Sequence, residues 1–230
     1  TTTANELIHY LKRKGFKVLA LDLDGQANLT LRNEVKRTTL YDVLNGTIKP
    51  LEAVETVNGI DFLGADSRLY NIDNVLNGND EALNEVIKVL KKKKKYDYVV
   101  MDTQPSVSNI TLSAFVSSDH ILISTSADIL GVNALVETAK TIDLVKKFNK
   151  KLNVLGVVLT RFKSRRKLNT QLLETFTETA KKSLGTDVIG TVRNSATVEQ
   201  AQLMAQCIYD FDNKSQSAED YADFFEKVGL

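Results

Sequence analysis

The sequence predicts an α/β protein, a doubly wound and mostly parallel sheet with helices on both faces. Three observations carry this expectation. Short apolar blocks alternate with longer amphipathic ones along the whole chain. The apolar blocks run without polar interruption, as strands covered on both faces do. Two of them end directly in aspartate, at Asp22 and Asp102. Such strand ends are where open α/β sheets collect their ligands.

The elements follow in order. Residues 4–13 place Leu7, Ile8 and Leu11 at helical spacing, and Gly15 ends that helix. Lys17-Val18-Leu19-Ala20-Leu21 reads as a buried strand. Residues 38–45 form a short helix capped by Thr38 or Thr39 and stopped by Gly46, and residues 60–64 a short strand. Residues 80–95 are an amphipathic helix with Leu83, Val86, Ile87 and Leu90 inward and a lysine run, Lys91 to Lys95, at its end. Tyr98 to Met101 is a strand, followed by a loop and a helix to about Ser117. His120 to Ile123 is a strand, 131–149 a helix with Leu135, Ala139, Ile142 and Val145 on one face, and Val154 to Leu159 another strand. A helix over 168–183, a strand over Val188-Ile189-Gly190, and helices near 196–206 and 216–228 complete the reading. With two prolines in 230 residues and no Pro-, Gly- or Ser-rich linker, one domain spanning 1–230 is expected.

Composition narrows the function classes. At 43% apolar and 26% charged, the chain has the makeup of a soluble globular protein. No apolar run is long enough to span a bilayer, and no charged-then-apolar leader opens the chain. Cys207 is the single cysteine, which excludes an intrachain disulfide and a Cys-rich metal site. Lys and Arg total 30 against 29 Asp and Glu, a net charge of +1, so any nucleic-acid binding must come from a local patch. A cytoplasmic location is expected.

The strand ends carry the chemistry. Asp22-Leu23-Asp24-Gly25-Gln26-Ala27-Asn28 follows one strand and Asp102-Thr103-Gln104-Pro105-Ser106 another. If those strands are neighbours, their carboxylates approach each other. Such acids hold a hard cation through water, position a nucleophilic water, or cap the next helix.

These runs resemble the ParA-type partition ATPases, a deviant-Walker group of P-loop proteins that includes MinD. That family reads Lys-Gly-Gly-x-Gly-Lys-Thr-Thr-Thr-Ala, a helix, Gly-Lys-x-Val-Leu, then Asp-x-Asp-Pro-Gln-x-Asn. Thr1-Thr2-Thr3-Ala4, Gly15-Phe16-Lys17-Val18-Leu19 and Asp22-x-Asp24-Gly25-Gln26-Ala27-Asn28 match it without a gap. The similarity continues through Asp102 to Ser106, Leu159-Thr160-Arg161, Arg165, Leu168, Arg193-Asn194 and Asp212-x-Lys214-Ser215.

The resemblance implies ATP and Mg²⁺ as cofactors. By it, Thr1 ligates the metal, Thr2 contacts the α-phosphate at a helix N-terminus, and Asp102 holds Mg²⁺ through water. Asp24 orients or activates the attacking water, Asp22 supports the metal shell, and Arg193 and Asn194 lie near the adenine. It also implies an ATP-driven homodimer, non-specific DNA binding, a ParB-like centromere-binding partner that stimulates hydrolysis, no membrane, and a nucleoid-associated location. The glycines and lysines of the phosphate loop would precede Thr1, where the chain opens without an initiator methionine; the expectation is a truncated chain, inactive by itself.

Two departures touch the loops beside the γ-phosphate: Gly25 stands for the usual Pro, and Gln104 for the first Pro of Asp-Thr-Pro-Pro. Both are expected to loosen or re-polarise those loops. A third is Gln216, where the family carries a basic residue used for DNA, while Lys214 remains. Arg161, Lys163, Arg165, Arg166 and Lys167 form a dense basic run that reads either as a DNA-contacting patch or as a solvated loop. Lys91 to Lys95 reads as a solvated helix end. His9, His120 and Cys207 read as structural, and Tyr209, Phe211, Tyr221, Phe224 and Phe225 as core around the last helix.

Two alternatives share the fold. A MinD-like membrane cycler needs a basic amphipathic C-terminal helix, yet Asp223 and Glu226 interrupt that segment. A non-hydrolysing scaffold is disfavoured by Asp24 and Asp102. An iron–sulfur relative needs two cysteines and fails on counting.

Overall fold

The computed structural model describes residues 1–76, 79, 81–163 and 167–230, which fall into two compact units. One comprises Thr1–Ser117 with Met204–Cys207, the other Ser118–Leu203 with Ile208–Leu230.

The first unit opens with α1 (Thr2–Arg13), β1 (Val18–Asp22), α2 (Asn28–Arg32), α3 (Leu40–Leu44) and α4 (Pro50–Ala53). It continues through β2 (Glu55–Val57), β3 (Ile60–Leu63), a 3-10 turn (Ser67–Asn71) and α5 (Ile72–Leu76). Then come α6 (Ala82–Lys94), β4 (Tyr98–Asp102) and α7 (Asn109–Ser117). Its sheet has the order β2-β3-β1-β4. β1 lies parallel to both β3 and β4, and β2 adds an antiparallel edge to β3. Every residue of β1 is buried, as its unbroken apolar run requires. Leu83, Val86, Ile87 and Leu90 of α6 face inward and join Leu19, Leu21, Leu63 and Ile110 in the core. Lys91, Lys92, Lys93 and Lys95 are exposed, the solvated helix end that their position predicts.

The second unit contains β5 (His120–Ser126), α8 (Ile129–Val145), β6 (Asn153–Phe162), α9 (Lys167–Leu184) and β7 (Val188–Arg193). It ends with α10 (Ala196–Leu203), α11 (Ile208–Phe211) and α12 (Gln216–Lys227). Its sheet, β5-β6-β7, is parallel throughout. Tyr221, Phe224 and Phe225 are buried and their rings pack together, which makes them the core of the last helix as expected. A Cβ at Gly190 would lie 2.6 Å from Phe224 Cβ, so only glycine lets α12 sit this close to β7.

Several elements differ from the sequence reading. Thr39 holds the N-cap position of α3 but makes no side-chain capping bond; its hydroxyl donates to Ala53 O at 2.9 Å. α8 begins two residues earlier than expected because Asp128 caps it, accepting from Gly131 N at 2.8 Å. The short β2, α2, α4 and α5 carry too few residues for a periodic signal.

Candidate functional site

Asp22 and Asp102 are paired in the β1–β4 register, so the two acids stand side by side at the carboxyl ends of adjacent parallel strands. Leu23 N donates to Asp102 O at 2.8 Å, extending the ladder one residue past the strand end. Asp22, Asp24 and Asp102 are all buried, at 1%, 8% and 5% exposure.

Each acid has a distinct set of partners. Asp22 Oδ2 accepts from Thr30 N at 2.9 Å and from the Thr30 hydroxyl at 2.7 Å, while Oδ1 accepts from Asp24 N at 3.2 Å. The Thr30 hydroxyl in turn accepts from Ala65 N at 2.9 Å. Burial pushes the Asp22 carboxyl up to about 6; the Thr30 bonds pull against this, and the Asp102 charge adds to it. Asp24 Oδ1 accepts from Gln26 N at 2.9 Å, and Ala27 N donates to Asp24 O at 2.9 Å, closing a tight turn before α2. Gln26 Nε2 donates to the Tyr70 hydroxyl.

Asp102 differs from the other two. Oδ1 lies 3.0 Å from the Thr1 nitrogen, and Oδ2 is buried without a hydrogen-bond partner. A buried carboxylate oxygen left unpaired is costly, and such an atom calls for a cation or a water. With the oxygens of Asp22 already engaged, Asp102 offers a buried oxygen without a partner to a hard cation. The Thr1 hydroxyl stands at the start of α1, and carboxylate and hydroxyl oxygens are the donor set that Mg²⁺ prefers. The residues present therefore fit a magnesium ion.

Thr30 and Tyr70 escaped the sequence reading. Thr30 sits eight residues from its acid, and Tyr70 reaches the Asp24 turn from a separate 3-10 turn; no local spacing marks either one. Gln104 is turned toward Ser108, to whose hydroxyl its amide donates, so the re-polarised loop is tied to the start of α7.

The remaining candidates lie in the second unit. Arg193 forks onto Asp220, with Nε at 2.7 Å from Oδ2 and Nη2 at 2.6 Å from Oδ1, and also donates to Gln216. Asn194 N donates to Phe162 O at 3.0 Å, and the residue is exposed. Arg161 and Lys163 are exposed at the end of β6, with Arg161 in the left-handed region at φ 55°. Lys214 is exposed just before α12. Arg165 and Arg166 lie outside the described residues, as does the side chain of Lys167. His9 is buried, with Nε2 2.9 Å from Asn33 Oδ1, and Cys207 is buried too.

A family model described as an AAA domain matches residues 1–154. With parallel strands flanked by helices and acids at the strand ends, the chain falls in the class of α/β proteins whose ligands gather at strand tips. The chromosome partitioning protein ParA of Caulobacter vibrioides is 31% identical over 182 residues, covering 75% of this chain and 68% of that protein. The chain belongs to the ParA family of partition ATPases. Its fold is that of a Cyanothece McdA variant in complex with ATP (TM-score 0.84, 23% identity, 99% of this chain and 89% of that one). MinD from Pyrococcus horikoshii, complexed with Mg-ADP, is similar too (TM-score 0.77, 23% identity, 99% and 89%). Among the described residues no helix is long and apolar enough to cross a membrane.

Proposed function

We propose that the chain acts in DNA segregation as a nucleotide-switched protein. It binds ATP with Mg²⁺, forms a homodimer in that state, holds DNA non-specifically, and releases it after hydrolysis stimulated by a ParB-like partner. Residues 1–230 serve as one ParA-like domain of a cytoplasmic, nucleoid-associated protein. The observation that carries the nucleotide reading is the buried, unpartnered Asp102 Oδ2 beside Asp22 at the tips of two adjacent strands.

In this reading Asp102 and the Thr1 hydroxyl would hold a magnesium ion, which would supply charge neutralisation at the phosphates. Thr2 offers its hydroxyl and amide to a phosphate at the start of α1. Asp22, fixed by Thr30, keeps the tip of β1 in register with Asp102. Asp24, held by the Gln26 amide, orients the attacking water. Arg193, which binds Asp220, and Asn194 lie near the adenine. Phosphoryl transfer asks mainly for positioning and charge neutralisation, and these residues supply both. Arg161, Lys163, Arg165, Arg166, Lys167 and Lys214 are the candidate DNA contacts. Nucleotide works as a switch here because it binds the dimer better than the monomer.

The test is retention of the full-length protein on DNA with and without ATP and Mg²⁺. Retention should require both and fall with salt. D102N should lower ATP hydrolysis by about 100-fold. Retention that ignores nucleotide would sink the switch, and ATP-dependent flotation with liposomes would favour a membrane-cycling role instead.

A further inference from the structure

We infer that Tyr70 is a positioning residue for the Asp24 turn, and that position 25 is glycine because the Tyr70 ring lies on it. The inference rests on the role proposed for Asp24 and adds a component to that site.

Gly25 has no left-handed φ, so its backbone conformation does not call for glycine. Space does. A Cβ at position 25 would stand 3.0 Å from both Cε1 and Cζ of Tyr70 and 3.1 Å from Cδ1. The ring thus covers the backbone between Asp24 and Gln26. The same Tyr70 accepts a hydrogen bond from Gln26 Nε2, while the Gln26 backbone N–H donates to Asp24 Oδ1. One side chain therefore grips the turn twice, by its ring on residue 25 and by its hydroxyl on residue 26. Gln26 passes that grip to the Asp24 carboxylate. The departure at Gly25, which read as a loosened loop, is instead the seat of an aromatic clamp.

The clamp has a firm base. Asp66 caps the 3-10 turn, accepting from Arg68 N at 2.9 Å. Arg68 forks onto Asp66 and onto both oxygens of Asp42, at 2.8 and 2.9 Å, and donates to Thr38 O at 3.0 Å. Tyr70 itself is 53% exposed, so its ring buries too little surface for its place to be explained by core stability. Because its oxygen accepts from Gln26, its own O–H points elsewhere and remains available to donate.

The experiment measures kcat and KM for ATP together with thermal midpoints in the full-length protein, for Y70F, Y70A, G25A, G25A/Y70A and D24A. Y70A should lower kcat about 10-fold with KM for ATP unchanged, since a small misplacement of a water-orienting group acts on the chemical step. Y70F should keep the ring and lose about 3-fold through the missing Gln26 bond. G25A should slow the wild type about as much as Y70A yet add nothing in the Y70A background, the signature of two residues that touch. Thermal midpoints should stay together. Normal kcat in Y70A with D24A inactive would overturn the clamp alone, as would additive effects of G25A and Y70A, or losses that track a lowered midpoint. Hydrolysis surviving in D24A would overturn the Asp24 role and the clamp with it.

Discussion

At the strand ends of the first unit the charges are acidic, buried and held by named donors, with Asp22, Asp24 and Asp102 at most 8% exposed. At the strand ends of the second, Arg161 and Lys163 stand in solvent, and Arg193 reaches across its own surface to Asp220. Both sets follow parallel strands, yet their energetics differ in kind. A buried charge takes its free energy from its immediate neighbours, because little water remains to solvate it. An exposed charge takes it from water and salt, and its individual partners matter little. The acidic tips should therefore respond to single-atom changes, and the basic tip only to the number of charges.

The largest test of that contrast is pH. Asp22 has an ordinary value of 3.8 and is raised to about 6 in the fold, so the folded state favours its neutral form. The stabilisation from that proton is complete below pH 3.8 and is lost as pH rises through 6. The difference in unfolding free energy between wild type and D22N should therefore fall by about 3 kcal/mol across this window. Denaturant titrations at a series of pH values measure it. A flat difference would mean that burial does not govern this acid.

A smaller effect is expected at Thr30, whose hydroxyl serves Asp22 and Ala65 together. T30V should destabilise the protein by about 2 kcal/mol, because it strands the buried Ala65 N–H and removes a bond from the carboxylate. It should also move the Asp22 transition further upward, while T30S, which keeps both bonds, should restore the wild-type profile. If T30V and T30S behave alike, the methyl group matters and the hydroxyl does not.

Smallest in stability is the double variant R161A/K163A, expected to shift unfolding by less than about 0.5 kcal/mol. If these residues touch DNA, the same variant should reduce the dependence of log affinity on log salt by about one for each phosphate that it no longer neutralises. An unchanged slope would leave Arg161 and Lys163 as solvated loop residues, and the comparison between the two strand ends would then be one of burial alone.

Much of the fold was legible in the order of residues. The unbroken apolar runs at Val18–Asp22 and Tyr98–Asp102 read correctly as strands, and their terminal acids were the first site candidates. The apolar spacing of α6 named its inward face, residue by residue. Strand and helix periods are local, and a local period can be read from a few consecutive side chains. At α3 the N-cap position, Thr39, was legible but its partner was not: the hydroxyl donates to Ala53 O, fourteen residues away, a contact that no local period records.

From the sequence alone came the element types, the acids at the strand ends and, through matching motifs, the family. Only the tertiary structure decided that Asp22 and Asp102 share a register, that Asp102 keeps an unpaired oxygen, that Thr30 grips Asp22, and that Tyr70 covers Gly25. The physical reason is distance along the chain. Periodicity records what a residue does with its neighbours three or four places away, whereas pairing between strands and the seating of one turn on another are settled by which surfaces meet when the chain collapses.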